Sequence, residues 1–196
     1  MRTTLRTAGV AVRAMLVFTL LLGVGYMLLI TAVGQIALPF TANGSLIRTA
    51  DGQVAGSQLI GQSFTDADGN ALPQYFQSRP SAAGDGYDSA ASSGSNLGPE
   101  NDDLISSIEE RTAAAVELDG SGRIPADALT ASASGLDPDI SVANAERQGA
   151  RVAEARGLSA SEVESLVDAH TIPRDLGYLG DPRVNVVALN RALDAL

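Results

Sequence analysis

The residues that could do chemistry in this chain are gathered into short runs of serine, glycine, arginine and aspartate. The first is Gln77-Ser78-Arg79-Pro80-Ser81, leading through Gly84 and Tyr87 to Ser92-Ser93-Gly94-Ser95-Asn96-Leu97-Gly98-Pro99. Glycine and serine let backbone N–H groups converge on an anion or on a partner's carbonyls, and Arg79 adds a positive charge. Arg79, Ser81, Ser92, Ser93, Gly94, Ser95, Asn96 and Gly98 are therefore candidate contacts for a partner or a nucleotide. The second run, Thr130-Ala131-Ser132-Ala133-Ser134-Gly135-Leu136-Asp137-Pro138, adds Thr130, Ser132, Ser134 and Asp137, and Arg183 with Asn185 completes the set. Both runs also read as turn-rich loops, the second entering a helix capped near Asp137 or Ser141. As a catalytic motif the first is weak: Gly94-Ser95-Asn96-Leu97-Gly98 has flanking glycines but lacks the central serine of a nucleophile elbow.

Other chemistry is bounded by what is missing. The chain has no cysteine, which removes disulfides, thiolate metal sites and cysteine nucleophiles. All 13 basic residues are arginine, so Walker-type phosphate binding, Schiff bases and Ser-Lys catalysis are excluded too. The one histidine, His170, cannot build a multi-histidine metal site, and a membrane-anchored serine hydrolase would have to use it. His170 ends a helix, where a surface or capping role is the default. Asp137, Asp139 and the pair Asp102-Asp103 could bind a cation only if folding brought them together, so no metal site and no catalytic residue is assigned. Arg147, Arg151 and Arg156, with Glu146 and Glu154 among them, read as solvated or locally paired charges on one helix.

The elements that position these groups are announced by the charge map. Arg2, Arg6 and Arg13 come first, no charged residue follows from Ala14 to Ile47, and all 23 acidic residues lie beyond Arg48. The run from Ala14 to Leu38 is long enough, at about 1.5 Å per residue, to cross a hydrocarbon core of about 30 Å. A cleaved secretory signal has a shorter apolar region and a small-residue cleavage site, so an uncleaved anchor is favoured. The arginines then place the N-terminus in the cytoplasm of a single-pass protein of the plasma or inner membrane. Residues 1–13 are expected to be a cytoplasmic flank, 14–38 the transmembrane helix, and 39–196 one extracytoplasmic accessory domain. Its acidic surface argues against nucleic acid and against docking on anionic lipid. With few aromatics, the domain must be packed largely by leucine, valine, isoleucine and alanine.

Within that domain, Ser45–Thr49, Gln58–Ile60 and a segment containing Tyr75 and Phe76 read as strands, with a hairpin-type turn at Asp51-Gly52. Residues 82–103 read as loop. Leu104, Ile105, Ile108, Thr112 and Val116 recur at helical spacing behind capping side chains at Asn101–Asp103. A helix from about Ser141 to Arg156, stopped by Gly157, carries Ile140, Ala143, Val152 and Ala155 on its apolar side. The next opens with Ser159 and Glu162 as a capping box and buries Val163, Leu166 and Val167. Asn185 can cap a last helix carrying Val186, Leu189, Ala192, Leu193 and Leu196. The fold class expected is α+β: a single N-terminal transmembrane helix followed by a small domain, strands early and helices late.

In order along the chain, the arginine-flanked anchor, GSQLIGQSF, QYFQSRPSAAG, SSGSNLGPEN, LTASASGLDPDIS, RVAEARGL and GDPRVNVVALNRALD resemble the C subunit of the Kdp-type potassium-transporting P-type ATPase. There are departures: Ser93 and Ala133 stand where the family usually has glycine, Asp102 where it has proline, Asp139 where it has histidine and Asp181 where it has glutamate. The resemblance implies a non-catalytic accessory subunit of a high-affinity, ATP-driven potassium uptake complex. Its partners would be a polytopic potassium-selecting subunit, an ATP-hydrolysing P-type subunit and a small single-span subunit. It implies roles in assembly, stability and coupling, and a proposed catalytic chaperone action that raises ATP affinity. ATP is then possible through the complex, with potassium as the transported ion and no cofactor assigned to this chain. An alternative is a nucleotide-binding regulatory subunit, although a head outside the membrane is separated from cytoplasmic ATP.

Overall fold

The computed structural model describes residues 2–49 and 51–196; Met1, Ala50 and the Arg2 side chain lie outside it. The chain forms two compact units, residues 1–46 and 47–196.

The first unit is one long helical run. Helix α1 (Arg2–Phe18) passes through a π-helical segment (Thr19–Tyr26) into α2 (Met27–Ala37). From Thr3 to Ala37 it is 35 residues, about 50 Å at helical rise, and long and apolar enough to cross a membrane. All of the 14–38 run except Leu38 thus lies within a helix that also takes in the basic flank. Leu38 leaves helical geometry, and Pro39 starts the one-turn α3 (Pro39–Ala42), where its missing N–H costs nothing. Gln35 and Asn43 exchange side-chain amide bonds of 3.3 and 3.1 Å around this corner.

In the head, strands β1 (Leu46–Arg48) and β2 (Val54–Ser57) form a two-stranded hairpin closed by Thr49 N–H donating to Gln53 O. The second strand thus precedes the expected 58–60, where only Ile60 bridges back to Ser57. A long irregular segment leads to α4 (Asp102–Asp119), whose Asn101 side chain accepts from Asp103 N–H. The C-terminal half supplies every residue of the core cluster but Phe76. The one-turn α5 (Ala126–Leu129) precedes β3 (Asp139–Ser141), α6 (Val142–Arg156) and α7 (Ala160–His170). Then come β4 (Thr171–Ile172), β5 (Arg183–Asn185) and α8 (Val186–Leu193). Strand β5 is central, antiparallel to β3 through Ile140 opposite Val184 and to β4 through Thr171 opposite Val184.

The caps follow the sequence. Ser141 accepts from Asn144 N–H, Ser159 and Glu162 complete a reciprocal capping box, and Gly157 ends α6 at φ +68°. The core joins Phe76, Ile140, Ala145, Val152, Ala153, Val163, Val167, Val184, Val186, Leu189 and Leu193.

Four expectations need correction. Ile140 belongs to β3, and α6 turns Ala145 and Ala153 inward with Asn144 and Gln148, leaving Ala143 and Ala155 exposed. Helix α4 forms where the 104–116 spacing places it, although it buries no residue, whereas α8 ends at Leu193 and leaves Leu196 outside it, 75% exposed. Tyr75 and Phe76 form no strand. Side-chain amides replace the strand neighbours: Asn190 bonds both N–H and C=O of Phe76 at 2.9 Å, and Gln148 does the same to Gln77 at 2.6 and 3.1 Å. Finally, of the two readings of the α6 arginines, pairing prevails over solvation, but with partners mostly outside their own helix. Arg151 donates to the carbonyls of Pro73 and Tyr75 and pairs with Asp119 at 2.7 Å, both side chains under a tenth exposed. Arg156 donates to Gln74 O, stacks over the Tyr75 ring and pairs with Asp194. Arg147 donates to Ala115 O and Gly120 O, fastening the end of α4.

Candidate functional site

The two serine–glycine runs are brought against each other. Ser81 Oγ donates to Gly135 O at 2.6 Å and accepts from the N–H groups of Ala83 and Tyr87. Ser92 Oγ and Ser93 N–H both donate to Ser134 O, at 2.9 and 3.0 Å. Buried Ser132 and exposed Ser134 turn their own loop by accepting from Gly135 N–H and Leu136 N–H. The glycines make the approach possible. A Cβ on Gly135, which also sits at φ +67°, would lie 2.6 Å from Ser93 O, and one on Gly94 would lie 2.9 Å from Ala133 O. The hydroxyls of Ser81 and Ser92 thus bridge the two loops, while those of Ser132 and Ser134 accept bonds that shape their own.

Beside the interlock runs a cleft of about 350 Å³, into whose walls Arg79, Asp127, Asp137, Asp139, Asp181 and Arg183 bring charge beside Ile140 and Pro182. Arg79 pairs with Asp137 at 2.9 Å, and Asp137 accepts from Asp139 N–H at 3.0 Å. Asp139 pairs with Arg183 Nε at 3.0 Å and accepts from Asn185 Nδ2 at 3.3 Å. Arg79, Asp137, Arg183 and Asn185, far apart in sequence, therefore share one network. Asn185 also caps α8 and donates to Gln58 O, tying the helix start to the end of the first hairpin. Burial foremost, then the Asp137 carboxylate, pushes the Asp139 carboxyl up, while Arg183 pulls it down. Burial also pushes the Tyr87 phenol up to about 12; its hydroxyl donates to Arg79 O at 2.8 Å.

The remaining candidates lie apart from this network. Ser95 and Gly98 are exposed, Asn96 Nδ2 donates to Gly94 O from φ +54°, and Thr130 Oγ1 donates to Ala126 O on its own helical turn. Ser93 Oγ donates to the adjacent Gly94 O. Asp127 was missed by sequence reasoning. Its carboxylate accepts from Ser141 N–H and Oγ and from Asn144 Nδ2. Its partners lie 14 and 17 residues away, and only the long-range fold reveals them.

His170 Nδ1 lies 2.9 Å from Leu166 O, one turn back in its own helix, with no serine partner recorded among the described residues. Among the described residues no group of three His, Asp or Glu side chains could hold a metal ion.

One helix long and apolar enough to cross a membrane, ahead of a small α+β head, is the architecture of a single-span, membrane-associated class of protein. The family model described as "K+-transporting ATPase, c chain" (KdpC) matches residues 8–195. Relatives include the potassium-transporting ATPase KdpC subunit of Caulobacter vibrioides strain NA1000 / CB15N, 56% identical over 94% of this chain and 91% of its own length. That of Mycobacterium bovis strain BCG / Pasteur 1173P2 is 51% identical over 95% and 96%. That of Caulobacter sp. strain K31 is 52% identical over 91% and 88%. The chain belongs to the KdpC family of potassium-transporting ATPase subunits.

Proposed function

We propose that this chain is the non-catalytic accessory subunit of an ATP-driven potassium uptake complex, acting in assembly and in coupling the potassium-selecting subunit to the ATP-hydrolysing one. The family match over residues 8–195 carries the reading. Three arginines before the apolar run support a cytoplasmic N-terminus, with the head outside. The anchor packs against transporter helices, including a small single-span subunit, and the head stands over the outer entrance of the potassium path. Residues 47–196 hold 23 carboxylates against ten arginines, the other three being Arg2, Arg6 and Arg13. Such a head concentrates cations locally, within about 8 Å at physiological salt.

A catalytic-chaperone action that raises ATP affinity would then be transmitted through partner subunits. The internal bonds of Ser81, Ser92, Ser132 and Ser134 favour this indirect form over a nucleotide site in the head. The test is purification of the tagged chain in mild detergent from cells expressing the whole complex. Recovery of a P-type ATPase and a polytopic potassium subunit, with ATP binding absent from the purified chain, is expected. Recovery of the chain alone would overturn the reading. ATP binding that requires Arg79 and residues 92–96 would replace it with a nucleotide-binding regulator.

A further inference from the structure

Three of the exposed large apolar side chains of the head stand together on one turn. Leu176, Tyr178 and Leu179, 81%, 69% and 48% exposed, stand on the hairpin joining β4 to β5. The hairpin is closed and braced. Asp175 and Leu179 exchange backbone hydrogen bonds of 3.0 and 2.9 Å, and Gly177 N–H donates to Arg174 O at 3.0 Å. Arg174 pairs with Asp181 across the base at 2.8 Å. At the tip, Leu176 adopts φ +53°, a left-handed conformation that glycine or asparagine enters far more readily than leucine. With its side chain in solvent, Leu176 regains nothing for that strain within the head. A strained residue presenting an exposed apolar group points to a contact outside the chain.

We infer that the Leu176–Leu179 tip is a docking knob that seats in an apolar pocket on another subunit of the transporter. The inference rests on the reading of this chain as a subunit. Charge selects a protein over a lipid surface. An apolar tip that enters a bilayer works best with unpaired basic side chains beside it. Here Arg174 is already paired with Asp181, Asp175 stands next to it, and the head carries more than two carboxylates per arginine. Anionic headgroups would repel this face. Rigidity points the same way, because a preformed knob loses little freedom on entering a shaped pocket, whereas a fluid bilayer rewards no fixed shape. The matching pocket has an apolar floor and hydrogen-bond donors or positive charge on its rim, facing Asp175 and Asp181.

The test uses the whole complex in mild detergent. A Tyr178→p-benzoylphenylalanine chain is expected to photocrosslink to another subunit. The double variant Leu176→Asp, Leu179→Asp is expected to be retained in the complex about tenfold less after dilution, the scale of losing a well-buried leucine. Its unassembled form should keep the wild-type near-ultraviolet circular dichroism. Leu176→Gly separates docking from folding: it relieves the left-handed strain and raises the thermal midpoint of the chain alone, yet weakens retention. Crosslinks to lipid alone, no crosslinks, or unchanged retention of these variants would overturn the docking knob while wild-type copurification upheld the subunit reading. Failure of the wild-type chain to copurify would instead overturn both.

Discussion

Asn190 is 1% exposed and its carboxamide completes both backbone groups of Phe76, itself fully buried. Replacing it with leucine keeps roughly the volume and removes both bonds, leaving one N–H and one C=O in the core without partners. Each such group costs about 1–3 kcal/mol, so the pair amounts to about 2–6 kcal/mol before the gain from a more apolar side chain. A net loss of about 3 kcal/mol corresponds to a midpoint about 6–12 °C lower for a domain of this size. Asn190→Asp distinguishes a specific amide from general packing. Its carboxylate can still accept from Phe76 N–H but faces Phe76 O as a second acceptor. Burial and that repulsion raise the folded pKa of the new carboxyl above its unfolded value. Its stability contribution is then fully present below the unfolded pKa and lost as pH rises through the folded one. This variant should therefore be far below wild type at pH 7 and recover part of the difference near pH 4. Near-ultraviolet circular dichroism of the full chain in detergent, in a Tyr26→Phe background that removes the tyrosine of the N-terminal helix, reads these midpoints through Tyr75, Tyr87 and Tyr178. A midpoint for Asn190→Leu within about 2 °C of wild type would refute the strand-surrogate argument.

Three further perturbations address other parts of the head. Gly135→Ala places a Cβ 2.6 Å from Ser93 O at φ +67° and should cost at least about 2 kcal/mol, read as a lower midpoint and faster proteolysis at residues 92–95. Arg151→Leu leaves Asp119 charged, buried and unpaired, and removes the guanidinium donor to the carbonyls of Pro73 and Tyr75; a loss of about 3–5 kcal/mol is expected, and a value below about 1 kcal/mol would contradict the buried pairing. Ser159 side-chain and backbone hydrogen bonds hold the Glu162 carboxyl below its ordinary range, so its contribution is present above the unfolded pKa and lost as pH falls through the folded one. Ser159→Ala should move the Glu162 titration upward by NMR and flatten the acid limb of the stability profile.

What could be read locally was read correctly where the signal was local. Ser141, Ser159, Glu162, Gly157 and Asn185 marked helix ends because each acts on backbone within four residues. The anchor was legible for the same reason, an uninterrupted apolar run. The face of α6 was not, because periodicity counts Asn144 and Gln148 as polar and sends them to solvent, whereas Gln148 completes the backbone of Gln77 71 residues away. Arg151 and Arg156 misled in the same way: their partners at Pro73, Gln74 and Tyr75 leave no trace in the helix that carries them. In the candidate site, the serine–glycine runs announced close backbone approach, but only the fold says that each run approaches the other.

These long-range ties share a physical logic that bears on the role of the head. Among the described residues, the stretch between β2 and α4 contains no regular element longer than an isolated bridge, yet it supplies Phe76 to the centre of the core. A chain without disulfides or a sheet long enough to hold that stretch must satisfy its backbone by other means. It does so with Gln148, Arg151, Arg156 and Asn190, polar side chains that cost solvation when buried but bond to defined carbonyls and N–H groups. Such bonds fix register, which apolar packing alone would leave looser. The interlocked loops and the braced 174–181 hairpin are consequently held in one shape before any partner arrives. Under the proposed role, in which the head presents a surface to other subunits, that pre-ordering would lower the conformational cost of assembly. The same proposal gives a reason why Ser81, Ser92, Arg79 and Asp137, which resemble a site in sequence, bond to other parts of the head: they would set the geometry of its surface.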